Sequence, residues 1–308
     1  MLAERTVAEP VDEELSAAED LEERLIVIVE QIEAAIAVFA LFDGEEQGLY
    51  GSAYAAAQMR AAGLDVEGML ANDIIGSSLG QNGVRDRHDV RLFADGPPPT
   101  ETPSQAAIRR AMGSENDSPA RELARFIQTE ADAAAPDMNV WVIYRQDRFL
   151  RGSDHLSFLQ NGFPGVRLTE PNEDYRHEHQ DVQVVNGVQF GDLEQFVDDN
   201  YIRDVARVNA AALVALADGP AAPQGVKIIL SPLSPDTTLT WQANSDPDLA
   251  GYEIVYRDTT DPQWSHVIKV GNVTSYTISG LTKDNYDFGV RAVDTDGNRS
   301  VAVFPAPG

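Results

Sequence analysis

The stretch Phe42-Asp43-Gly44-Glu45-Glu46-Gln47-Gly48-Leu49-Tyr50-Gly51-Ser52 decides how the rest of the chain is read. The apolar run Ile36-Ala37-Val38-Phe39-Ala40-Leu41 before it reads as a buried strand, and Ala53 to Ala62 after it reads as a helix. Two adjacent carboxylates at the end of a core strand are costly unless a cation or hydrogen bonds compensate them. Glu45 and Glu46 are therefore candidates for metal chemistry.

Working outward, Met69 to Gly76 reads as a second core strand carrying Asp73 at its end. Strand, helix and strand in this order imply a βαβ unit and an α/β sheet. In such sheets sites form at the carboxyl ends of strands, where Glu45, Glu46 and Asp73 all fall. Upstream, residues 1–15 read as an acidic arm, and 16–34 as a helix with Ser16 as N-cap and Glu19 three residues on. Downstream, residues 77–104 read as a long Gly-, Asp- and Pro-rich loop. Helices are expected over 101–112 and over 119–133, the latter behind the cap Ser118 and Pro119. A strand is expected over 138–144, and a short helix after the polar cluster Ser153-Asp154-His155. A turn and core strand follow over 162–170, and a long helix over 192–217.

Asp218-Gly219-Pro220-Ala221-Ala222-Pro223 has the composition of a linker. Beyond it the period changes to two, as in Gly251-Tyr252-Glu253-Ile254-Val255-Tyr256 and Tyr286-Asp287-Phe288-Gly289-Val290. The domains expected are thus 1–217, a linker over 218–223, and an all-β sandwich over 224–308. With Trp241 as core tryptophan and Tyr252, Leu281, Tyr286, Val290 and Ala292 on its later strands, the tail resembles a fibronectin type III domain.

The chain has 308 residues and a net charge of −27, a field that repels nucleic acid and anionic lipid. It holds no cysteine, so disulfides and thiolate metal sites are excluded, and any zinc must be held by His and carboxylates. No apolar run is long enough to span a membrane, and no signal peptide is visible after Met1.

Four motifs in order (Glu45 to Ser52, Asp73, Ser153 to Phe158, and His177 with Asp181 four residues on) resemble the co-catalytic zinc aminopeptidases of metallopeptidase family twenty-eight. That family includes bacterial leucyl aminopeptidases and glutamate carboxypeptidases. The resemblance implies a three-layer α/β/α domain, two zinc ions and a peptide substrate. It makes Glu45 the general base, Glu46 and His177 ligands of one zinc, and Asp73 a ligand of the other. It places Asp154 and His155 in the pocket or behind the ligands. His179 is the alternative to His177. The family also supplies a His and a bridging Asp upstream, whereas this chain has no histidine before His88. Asp12 stands 33 residues before Glu45, about where the bridging Asp belongs. The expectation is therefore an N-terminally incomplete metal pair. The rival is a non-catalytic binding protein tethered to a polymer or surface by its β-domain, and a third reading is carboxypeptidase action on acidic peptides. The resemblance further implies a secreted or periplasmic protein.

Overall fold

The computed structural model describes residues 26–32, 35–147 and 151–308. The first elements are β1 (Ile26–Ile32), β2 (Ala35–Leu41), α1 (Tyr50–Ala61) and β3 (Met69–Asn72). They are followed by β4 (Asp89–Ala94), α2 (Pro103–Met112), α3 (Pro119–Ala134) and β5 (Asn139–Ile143). Next come α4 (His155–Gln160), β6 (Gly165–Thr169), β7 (Gln183–Val185), β8 (Val188–Phe190) and α5 (Asp199–Asp218).

The central sheet runs β3-β6-β4-β5, with β3 parallel to β6, β4 parallel to β5, and β4 antiparallel to β6. Alternation along β6 separates its two faces. Val166 and Leu168 enter the main core with Leu123, Ile127 and Ala131 of α3 and Tyr201, Val205 and Val208 of α5. Gly165 and Arg167 face the other way, where a Cβ on Gly165 would stand 3.0 Å from the His155 carbonyl oxygen of α4. On that side Ala56 of α1, Phe158 of α4 and Phe163 form a second apolar cluster with Phe42 and Met69. The result is an α/β/α arrangement with the acidic turn on the α1–α4 side.

Four expectations are corrected. Residues 26–32 form a strand rather than the end of a helix, and β1 pairs antiparallel with β2 as a separate two-stranded sheet. The β-branched run Ile26-Val27-Ile28-Val29 favours that outcome, and the capping box at Ser16 and Glu19 lies outside the described residues. β2 is therefore not a member of the central sheet, and no βαβ unit joins it to β3. The loop over 77–104 contains β4, whose Val90, Leu92 and Phe93 are fully buried at the centre of the sheet. The last helix begins at Asp199, capped by Asp198, and residues 194–196 form a separate 3-10 turn.

Beyond α5 the chain forms β9 (Lys227–Ile228), β10 (Thr237–Thr240), β11 (Leu249–Asp258) and β12 (His266–Gly271). It closes with β13 (Ser275–Ile278), β14 (Tyr286–Asp294) and β15 (Ala306–Pro307). Two sheets, β13-β10-β9-β15 and β12-β11-β14, enclose Leu239, Trp241, Tyr252, Ile254, Phe288 and Val290. Trp241 lies against Tyr252 with ring centroids 5.3 Å apart.

This sandwich docks on α3 through its β11–β12 turn. The Arg257 Nη2 lies 2.6 Å from Asp117 Oδ1, and Arg257 Nη1 lies 2.9 Å from Asp287 Oδ2. Arg125 Nε donates to the Pro262 carbonyl at 2.6 Å, and its Nη1 bonds Glu122 and faces Asp117. Trp264 Nε1 donates to Glu122 Oε2 at 2.8 Å, under the guanidinium of Arg257. Burial pushes the Glu122 carboxyl up to about 8, against the pull of Arg125.

Candidate active site

The acidic turn is shaped by its glycines. Gly44 and Gly48 have φ of 69° and 127°, conformations that L side chains rarely adopt. A Cβ on Gly51 would stand 2.6 Å from the Asp43 carbonyl oxygen, so only glycine lets α1 start so close to the turn. The amides of Gly48 and Leu49 both bond the Glu45 carbonyl, at 3.0 and 2.9 Å. This closes the loop, and among the described residues no backbone hydrogen bond engages the carboxylates of Glu45 and Glu46.

At the base of α1, Ser52 Oγ lies 2.9 Å from Ser157 Oγ of α4. That contact ties the Ser153-Asp154-His155 motif to the acidic turn. Burial raises the Asp154 carboxyl above its ordinary value, and the nearby Asp73 adds to the rise. Burial likewise raises the Glu45 carboxyl, with Asp73, Glu46 and Asp154 pushing in the same direction. Arg167 pulls the other way. Glu46, Asp73 and Asp154 thus all lie within electrostatic reach of Glu45.

Asp73 follows β3, with its amide bonded to the Leu168 carbonyl at 3.1 Å. Its Oδ2 lies 3.1 Å from Arg167 Nη2, and Arg167 also binds the buried Asp147. Arg167 was not anticipated as a site residue. A lone arginine in an apolar strand (Gly165-Val166-Arg167-Leu168-Thr169) was the available signal, because a charge at a core position needs a partner.

The histidines divide. His179, at φ 52°, sets its Nδ1 3.5 Å from Glu46 Oε1. His177 instead stacks on Phe196 with ring centroids 3.5 Å apart, and its Nδ1 lies 3.6 Å from Asp174 Oδ2. Burial lowers the His177 pKa, against the pull of Asp174. His155 is fully buried, with neither ring nitrogen hydrogen-bonded among the described residues, and its Nε2 is 3.7 Å from Asp95 Oδ1. Asp12 lies outside the described residues.

The model of Peptidase family M28 matches residues 27–186, and that of the fibronectin type III domain matches residues 221–304. The chain belongs to peptidase family M28. A "Probable zinc metalloprotease" of Pyrenophora teres f. teres is 49% identical to this M28 chain over 266 residues, covering 86% of it and 55% of the relative. A protein of the same description from Pyricularia oryzae is 49% identical over 281 residues, covering 89% and 56%. The M28 chain therefore spans little more than half the length of these relatives. Among solved structures, an aminopeptidase from Aneurinibacillus sp. strain AM-1 aligns at 16% identity and a TM-score of 0.36, covering 58% of the chain and 32% of the aminopeptidase.

The donor chemistry of the M28 site suits zinc in kind, being carboxylate and imidazole without thiolate. It falls short in number. Among the described residues no three His, Asp or Glu side chains come together as a metal group. Glu46 and His179 face each other, whereas Asp73 is engaged by Arg167 and His177 by Asp174 and Phe196. A zinc site commonly takes four ligands, so the described donors do not complete one.

Proposed function

We propose that this chain is part of a zinc-dependent peptide hydrolase that removes N-terminal residues from peptides. The observation that carries the reading is the glycine-shaped turn that presents Glu45, its carboxyl raised by burial and by three neighbouring acids, directly beside Glu46. A carboxylate with a raised pKa can take a proton from an attacking water and return it to the leaving amine. In this reading Glu45 is that proton carrier, and Glu46, Asp73 and His177 or His179 are the zinc-directed side chains. Zinc, when bound, polarises the scissile carbonyl and acidifies water. Ser52 and Ser157 hold the start of α1 against α4, and Arg167 fixes Asp73 at the end of β3. The relatives described as zinc metalloproteases support the metal and the reaction class. The aminopeptidase specificity and a secreted location extend the family resemblance. The β-domain's contact with α3 makes it a structural part of the peptidase unit in this proposal.

The second reading, a non-catalytic binding protein, is favoured by the short donor set alone. One experiment separates the two. The purified chain is titrated with zinc by calorimetry and assayed on aminoacyl-nitroanilides. The hydrolase reading expects at least one zinc equivalent and release of nitroaniline. Substoichiometric binding at saturating zinc, with no cleavage, defeats it.

A further inference from the structure

A cavity of about 510 Å³ lies where the two domains and their linker meet. Small-molecule sites fall in this size range and favour domain interfaces. Its walls are mostly apolar: Val66, Phe163 and Leu216 come from the peptidase domain, Ala222 from the linker, and Val301 and Phe304 from the β-domain. The linker is pinned in place. The Ala221 amide donates to Asp246 Oδ1 at 3.2 Å, and Asn244 Nδ2 donates to the Ala221 carbonyl at 2.6 Å. The cavity is therefore preformed rather than a gap between loose domains.

Carboxylates that lack donors stand in it. Asp65 and Glu67, in the loop between α1 and β3, are exposed and mark its mouth. No hydrogen bond or ion pair engages the Glu67 side chain among the described residues. Burial pushes the Glu67 carboxyl up to about 7, and the two charges acting on it, Asp65 and Asp246 of the β-domain, push the same way. Asp117, buried in the wall, gives its Oδ1 to Arg125 and Arg257, and its Oδ2 has no hydrogen-bond partner among the described residues. Glu122, the other wall acid, is bonded to Arg125 and Trp264. Of the arginines that line the cavity, Arg299 is held by Glu253, which leaves the exposed Arg60 against Asp65, Glu67 and Asp246. What is short here is positive charge, so an anion would be repelled. A metal ion does not fit either, because no three His, Asp or Glu side chains converge among the described residues. We propose that this cavity binds a small organic monocation, an amine whose ammonium is held by Asp65 and Glu67 and whose apolar stem lies against Val66, Phe163, Val301 and Phe304. The proposal is independent of the hydrolase reading.

The test measures binding to the full chain by calorimetry in EDTA at about pH 8, where Glu67 is ionised. Phenylbutylamine is compared with phenylbutanol, which keeps the stem without the charge, and with phenylbutyrate, which reverses the charge. The amine should bind about tenfold more tightly than the alcohol, because hydrogen bonds between ionised groups are the stronger kind. The butyrate should bind most weakly. The acidic turn also attracts amines, so two variants decide the location. Glu67→Gln should bring the amine down to the level of the alcohol. Ala222→Phe, which fills the cavity from the linker, should weaken amine and alcohol alike by about tenfold. The two positions lie on different elements, so misfolding of one variant leaves the other to decide. Equal binding of amine and alcohol, no detectable binding of either, a preference that survives Glu67→Gln, or binding unaffected by Ala222→Phe overturns the proposal. No metal and no turnover take part, so that result leaves the zinc hydrolase reading standing, and a chain that takes no zinc can still pass.

Discussion

Two of the clusters of buried or half-buried charge among the described residues are built on opposite terms. At the domain contact Arg125 and Arg257 meet Asp117 and Asp287, two cations against two anions, with Glu122 pushed up to about 8 by burial and bonded by Trp264. At the acidic turn Glu45, Glu46, Asp73 and Asp154 crowd together, and the cation acting on Glu45 is Arg167, which is shared with Asp147. The first cluster is electrically closed and holds two domains in register. The second is open, and an open cluster of carboxylates is what a cation or a proton-transfer step requires. The position of the counter-charges, rather than the presence of acids, separates structure from function here.

The largest test falls on the closed cluster. Asp117 is buried and bridges Arg257 of the β-domain and Arg125 of α3. Asp117→Ala leaves two buried guanidinium groups short of a partner, and breaking a buried pair on one side costs ~3–5 kcal/mol. Urea unfolding should show that loss, together with a split of one transition into two as the domains uncouple. A loss under ~1 kcal/mol with a single transition would erase the contrast between the clusters.

Legibility followed the range of the contacts. The acidic turn could be read from its glycines, and α3 from Ser118 and Pro119, because both signals are local. β4 was hidden because Asp89 and Arg91 break the apolar run, although Val90, Leu92 and Phe93 are fully buried. The β7–β8 hairpin turns on Asn186-Gly187, both at positive φ, which is a readable hairpin signal that the dense metal-capable stretch beside it masked. His177 and His179 are two residues apart, so spacing could not say which faces Glu46, and the structure puts His179 there. Asp117 and Arg257 are 140 residues apart, with no local pattern to join them. The closed cluster was thus invisible in the sequence, and the open one, built from contiguous motifs, was the part that could be found.

A smaller effect tests whether burial of acid is a general feature around the site. Glu170, at the end of β6, accepts the Ser77 amide at 2.7 Å, and burial pushes its carboxyl up to about 8. A carboxyl whose folded pKa lies above its unfolded value binds its proton more tightly when folded. Its stabilisation is complete below pH ~4.5 and is lost as pH rises through about 8. Unfolding free energy should therefore fall between pH 5 and 8, by at most ~1.4 kcal/mol per pH unit for this one group. Glu170→Gln should flatten the slope by that share and leave Glu122 and Glu67, raised by burial to about 8 and about 7, to supply most of the rest. An unchanged slope would mean that Glu170 is ionised and hydrated in the folded chain.

The smallest effect on stability should come from the residue with the largest proposed role. Glu45 is partly exposed, so solvent screens its like-charge neighbours, and Glu45→Gln should change unfolding free energy by no more than ~0.5 kcal/mol. The same substitution should abolish hydrolysis while leaving zinc binding intact, because Glu45 is proposed to carry the proton and Glu46 to face the metal. Asp117→Ala would then disrupt the scaffold without touching the chemistry, and Glu45→Gln would do the reverse. Hydrolysis that persists in Glu45→Gln would remove the proton-carrier role. Stability lost there on the scale of the Asp117 variant would mean that the acidic turn is as structural as the domain contact, and the distinction between open and closed clusters would fail at its functional end.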